Sequence, residues 1–102
     1  MERSNKVPVV LRNEYTMYLE LFDNLLWFHA DVHKWTVEIK KRFESDLSDL
    51  ERLVGIALVA LIRDDDVRLK KFAKMVNWQE KGQVMLLDGS VAFIYASARK
   101  GE

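Results

Sequence analysis

The sequence predicts an α+β (α/β) fold, a mixed sheet with two helices packed on it, in the order β-β-β-α-β-α-β-β. Three observations carry that expectation. The crossover between LLWFHADVH (Leu25 to His33) and IALVALI (Ile56 to Ile62) holds a long helical segment, which implies a parallel strand pair. Before it, residues 8 to 33 read as an antiparallel meander. Near the end, two short apolar runs flank Asp88-Gly89, a strong hairpin signal.

Each element has a local cause. Pro8 to Arg12 (PVVLR) reads as an edge strand, because proline is tolerated at a strand's first position. Tyr15 to Phe22 (YTMYLELF) is rich in aromatic and β-branched residues, and Asp23-Asn24 suits a two-residue turn into LLWFHADVH. The first helix is placed over Lys34 to Leu53. Trp35, Ile39, Phe43, Leu47, Leu50 and then Val54 form one apolar stripe along it. Ser48 with Glu51 has capping-box spacing, which predicts a break near Ser45; Gly55 ends the helix. IALVALI is apolar throughout, as in a strand covered on both faces. Asp64, Asp65 and Asp66 open the second helix, Val67 to Val76, where carboxylates suit the positive end of the dipole. Leu69, Phe72, Ala73 and Val76 give that helix its apolar face. Gln83 to Leu87 and Ser90 to Ala96 are the closing strands.

Composition narrows the function classes. A chain of 102 residues is read as a single domain, 1-102, with residues 1 to 7 a polar tail. With 49% hydrophobic and 31% charged residues, it has the makings of a packed core rather than a disordered chain. Zero net charge supplies no global pull toward nucleic acid, and it favours self-association. The VMLL and VAFIY strands offer an edge for a homodimer. The lack of cysteine excludes disulfides, zinc–thiolate sites and thiol nucleophiles. No apolar run reaches the length of a membrane span and MERSNK lacks a signal segment, so a cytoplasmic protein with no membrane partner is expected.

One constellation suggests chemistry. His29, Asp31 and His33 alternate along a strand and share one sheet face. His29 and Asp31 are the candidate general base; a divalent metal on the three side chains is the weaker reading, and a solvent-facing strand end the plainest one. Arg63, Arg68, Lys70, Lys71 and Lys74, with Lys34, Lys40, Lys41 and Arg42, are interleaved with acids and read first as a solvated surface. Trp27, Trp35, Trp78, Tyr15 and Tyr18 read as packing residues, with Tyr18 and Trp27 pairing across adjacent strands.

From residue 8 to 97, the order and lengths resemble the C-terminal two-thirds of the GNAT superfamily of acyl-CoA-dependent N-acyltransferases. IALVALIRDDDVRLKKFAKMVNW is similar to the family's late strand and helix, and QVMLLDGSVAFIYAS to its closing hairpin. The small, divergent GNAT-like proteins of tailed bacteriophages resemble it more closely still. The resemblance implies acetyl-CoA or another acyl-CoA as cofactor, bound along Phe28, Ala30, Val32, His33 and Lys34, with some of the basic side chains meeting its phosphates. It also exposes departures. The family's loop after this strand reads Q/R-x-x-G-x-G/A, whereas Val32-His33-Lys34-Trp35-Thr36-Val37 contains no glycine. The family's thiolate-protonating tyrosine falls on Ala73, its helix-ending glycine on Asn77, and its last-helix asparagine on Asp66. The resulting expectation is a GNAT-fold protein of phage or prophage origin with a degenerate acetyl-CoA site. It would act as an accessory or virion component through a protein partner, in host cytoplasm or virion. The alternative is a divergent N-acyltransferase acting on an amine.

Overall fold

The computed structural model describes residues 6 to 97. Its elements follow the expected order: β1 (Val7–Leu11), β2 (Tyr15–Phe22), β3 (Leu25–Val32), α1 (Val37–Val54), β4 (Leu58–Arg63), α2 (Val67–Met75), β5 (Gln79–Met85) and β6 (Val91–Ala96). They build one six-stranded sheet in the order β1-β2-β3-β4-β6-β5. All neighbours run antiparallel except β3 and β4, which are parallel as the crossover requires. Of the expected polar tail, residues 1 to 5 lie outside the described residues. Lys6 reaches over the Tyr18 ring at 5.3 Å, and Val7 already belongs to β1.

Both helices cover the same face of the sheet. Tyr15, Met17, Leu58, Ala60, Ile62 and Tyr95 alternate onto it and form one core with Ile39, Phe43, Leu47 and Leu50 of α1 and Ala73 of α2. An aromatic chain ties the layers together. Phe43 meets Tyr15 at 4.9 Å and Phe72 at 5.1 Å between ring centroids, edge to face. Phe28 in turn meets Trp78 at 5.9 Å.

Several local expectations are corrected. Helix α1 starts at Val37, not Lys34, because the Thr36 hydroxyl caps it by accepting the Ile39 N–H at 3.1 Å. Trp35 therefore precedes the helix, yet its ring still packs on Phe43 and Phe72. No break occurs near Ser45. The helix runs unbroken to Val54, since Phe43, Leu47 and Leu50 bury one continuous stripe, and Gly55 ends it with φ +72°. Strand β4 is covered by helices on one face alone, and Leu61 on the other face is 45% exposed. β5 begins four residues before the expected Gln83, at Gln79, paired along β6 through a shift between Glu80 and Gly82. Tyr18 lies opposite His29 rather than Trp27, whose partner is Glu20.

The turns follow their residue types. Asp23 and Asn24 both adopt positive φ, 58° and 62°, the two-residue turn that sets Phe22 opposite Leu25. In the last hairpin the loop is three residues, Leu87-Asp88-Gly89, with the Leu86 N–H donating to the Ser90 carbonyl and Gly89 at φ +89°.

Candidate active site

The site is made by a seam that fails to close. β3 and β4 pair only at Leu26–Leu58 and Trp27–Val59, and beyond those residues the strands diverge. Phe28 to Val32 on one side and Ala60 to Ile62 on the other become walls of a cleft of about 1290 Å³. Its interior is lined by Phe28, Ala30, Phe43, Ala60, Ile62 and Phe72. Lys34 and Trp35 from the turn before α1, Lys40 of α1, and Val67, Arg68 and Lys71 of α2 also line it. Apolar walls and backbone edges freed from a parallel ladder suit a slender, amide-bearing arm, which can hydrogen-bond as an extra strand would.

Every candidate residue read from the sequence lines this cleft: His29 and Asp31, and Phe28, Ala30, Val32, His33 and Lys34. They separate by face. Phe28 and Ala30 pack toward the helices. His29 and Asp31 alternate with them onto the opposite face, and His33 lies just past the end of β3. No group of histidine, aspartate and glutamate side chains with metal-binding geometry occurs among the described residues.

Cross-strand partners give His29 and Asp31 their chemistry. His29 Nε2 sits 2.8 Å from Glu20 Oε1. A carboxylate accepts there, so the ring proton belongs on Nε2 and the Nδ1 lone pair is free to take a proton. Asp31 accepts the Tyr18 hydroxyl at 3.1 Å, and that bond is the main cause pushing the Tyr18 phenol above its ordinary range. Glu20 escaped the reading of the sequence and Tyr18 entered it only as a packing residue, although the Asp23-Asn24 turn fixes the register that brings them beside His29 and Asp31.

The turn leading into α1 answers whether backbone amides can hold a phosphate. The N–H groups of His33 and Lys34 donate to the Glu14 carbonyl, at 2.8 and 3.3 Å, and the Ile39 N–H donates to Thr36. Glu38 adds a carboxylate to the first turn. The amides of His33 and Lys34 are thus engaged by the protein itself, and Trp35 packs against its aromatic neighbours. At α2, Asp66 takes the capping role, accepting the Leu69 N–H at 3.1 Å. Asn77 adopts φ +66°, letting the Trp78 N–H close on the Ala73 carbonyl at 2.8 Å. Ala73 itself is 3% exposed and brings no proton donor to the cleft.

Solved structures share this architecture. A protein from Bordetella pertussis assigned to the GNAT-family acetyltransferases superposes with a TM-score of 0.69 at 17% identity. The match takes in 83% of this chain but 57% of that one, so the chain spans little more than half the length of this neighbour. The ribosomal-protein-S18-alanine N-acetyltransferase of Escherichia coli superposes with a TM-score of 0.64 at 13% identity, over 99% of this chain and 76% of its own. No protein-family model and no curated protein sequence matches the chain. The fold is that of the GNAT acetyltransferases, as expected from the order of elements.

Proposed function

We propose that the chain binds an acyl-CoA in the cleft between β3 and β4 and passes its acyl group to an amine, with His29 as general base. The observation that carries this reading is the parallel pairing that ends at Trp27–Val59 and opens into apolar walls. The fold shared with acetyltransferases supports it. An acyl-CoA supplies an activated thioester carbonyl. Phe28, Ala30 and Val32 provide the β3 wall and its backbone groups, and His33 and Lys34 continue the lining past the end of β3. His29 Nδ1 takes the proton from the attacking amine nitrogen, and Glu20 holds the imidazole in the tautomer that allows it. With Ala73 in place of a phenol, the departing thiolate takes its proton from water, so turnover is slow.

A second reading has its own observation. The engaged amides of His33 and Lys34 favour a degenerate cofactor site, and with it an accessory or virion protein of phage or prophage origin acting through protein contacts. One measurement separates the two. A thermal melt with excess acetyl-CoA shifts upward under the first reading, corresponding to about 2.7 kcal/mol at a hundredfold excess over the dissociation constant. His29→Ala then binds equally but loses transfer by about a hundredfold or more. A flat melt and no label transfer to a panel of amines leave the accessory reading standing.

A further inference from the structure

We infer that Lys6 is an acceptor of the chain's own acyl transfer, its Nζ taking the acyl group of a thioester within the same molecule. The inference rests on the acyl-CoA reading and names one amine that the cleft would serve.

Sheet register puts Lys6 on the face that carries the candidate base. Met17 and Leu19 pack into the core, so Tyr18 between them points to the uncovered face of the sheet. Tyr18 stands opposite His29, and its hydroxyl donates to Asp31 at 3.1 Å. The Lys6 ammonium lies over this same ring, 5.3 Å from its centroid, and the residue is exposed. A cation–π contact of this kind holds the amine beside His29 and Asp31 without burying it.

The lining of the cleft is a second, independent observation. Lys6 lines it together with His29 and Asp31, although it belongs to neither strand that forms the gap. The other lysines of the lining, Lys34, Lys40 and Lys71, come from the turn before α1, from α1 and from α2. Lys6 instead approaches across β2, on the face His29 presents. An amine fixed one residue before β1 also has an effective concentration that a dilute free amine does not reach.

The step balances with the residues present. The ammonium gives one proton to His29 Nδ1, and the neutral amine attacks the thioester carbonyl. The N–C bond forms and the C–S bond breaks, its electron pair leaving on sulfur. The second nitrogen proton goes to solvent, from which the thiolate is protonated. Lys6 ends as a neutral amide, and the cation over Tyr18 is lost.

In the test, the protein is incubated with acetyl-CoA and acetylation is followed lysine by lysine through peptide mass mapping. Lys6 should be acetylated about tenfold or more faster than Lys41 and Lys74, which are exposed and outside the cleft lining. Its rate constant should not depend on protein concentration, and His29→Ala should bring it down to that of the two reference lysines. A footprint reads placement without any transfer. Coenzyme A, which has no acyl group to give, should slow trace labelling of Lys6 by acetic anhydride and leave Lys41 and Lys74 unchanged. Lys6→Arg, which keeps a cation over Tyr18, should remove the fast site and create no other. Acetylation of Lys6 at the reference rate, no protection by coenzyme A, or a rate constant that rises with protein concentration overturns the inference. If acetyl-CoA raises the melt and free amines are acetylated while Lys6 is not, the acyl-CoA reading stands and this inference falls. A flat melt with no transfer to Lys6 or to any free amine overturns both.

Discussion

Tyr15 shows how much a single side chain sets in a domain of this size. It is fully buried against Phe43, and its hydroxyl donates to Asp46 at 2.6 Å while Arg12 holds the same carboxylate with two nitrogens at 2.9 and 3.0 Å. Arg12 is the main influence lowering the Asp46 carboxyl below its usual range, with Tyr15 adding to it. The stability that Asp46 contributes is complete above the ordinary aspartate value of about 3.9 and is lost as pH falls through its lower folded value. Burial, then the bond to Asp46, pushes the Tyr15 phenol up to about 12. Its neutral form is favoured by folding, so that contribution is present below about pH 10 and lost as pH rises from there toward 12. Tyr15→Phe should cost about 1–2 kcal/mol in urea unfolding at neutral pH. The gap between wild type and variant should shrink between pH 10 and 12. A gap that is constant across that range would rule out the phenol as its source.

Residue-scale chemistry was only partly legible in the chain. The alternation of His29 and Asp31 on one strand is a sequence fact, and both line the cleft. Their partners come from β2, and finding Glu20 requires counting register outward from the Asp23-Asn24 turn. The claim of Glu14 on the amides of His33 and Lys34 spans some twenty residues and leaves no periodic trace.

At the scale of elements, the strongest signals were periodicity and turn chemistry, and the errors have physical origins. Trp35 continues the i, i+4 stripe of Ile39, Phe43 and Leu47, so spacing alone extends α1 backward past its cap. Thr36, an N-cap residue type, was the competing signal. Ser48 and Glu51 have capping-box spacing but sit mid-helix, where neighbouring turns already satisfy the backbone donors. The first half of β5, Gln79 to Gly82, shows no alternation of polarity; pairing with β6 makes it a strand. Two substitutions examine the helix boundaries. Thr36→Ala should destabilise by about 1 kcal/mol by freeing the Ile39 N–H. Asn77→Gly, at φ +66°, should be neutral or stabilising by up to about 1 kcal/mol, whereas Asn77→Val should lower the melting temperature, because only glycine takes that conformation without steric cost. An Asn77→Val protein that melts with the wild type would contradict the left-handed helix end.

For the whole molecule, the order of elements and the parallel β3–β4 pair were readable because crossover length and strand direction are linked. The one-sided placement of the helices was not. IALVALI gives no sign of which face is covered, and Leu61 stays exposed despite its apolar neighbours. No helix among the described residues is long and apolar enough to cross a membrane. The opposite sheet face carries Trp27, Leu61 and Ile94 beside the polar group of Tyr18, Glu20, His29 and Asp31. Leu61→Lys, at a position 45% exposed, should therefore leave the unfolding free energy within about 0.5 kcal/mol of wild type, in contrast to Ile62→Ala on the covered face, which should cost about 2–5 kcal/mol.

The unclosed seam also divides the sheet mechanically. Three antiparallel strands stand on either side, β1-β2-β3 and β4-β6-β5, and two residue pairs stitch the halves together. Such a joint should open as a unit, since α1 connects β3 to β4 across it. In native-state hydrogen exchange, the amides paired along this stitch should lose protection in a single sub-global step, below the free energy at which the interior of the β2–β3 ladder gives way. A molecule that occupies the gap should slow that step before it changes anything else.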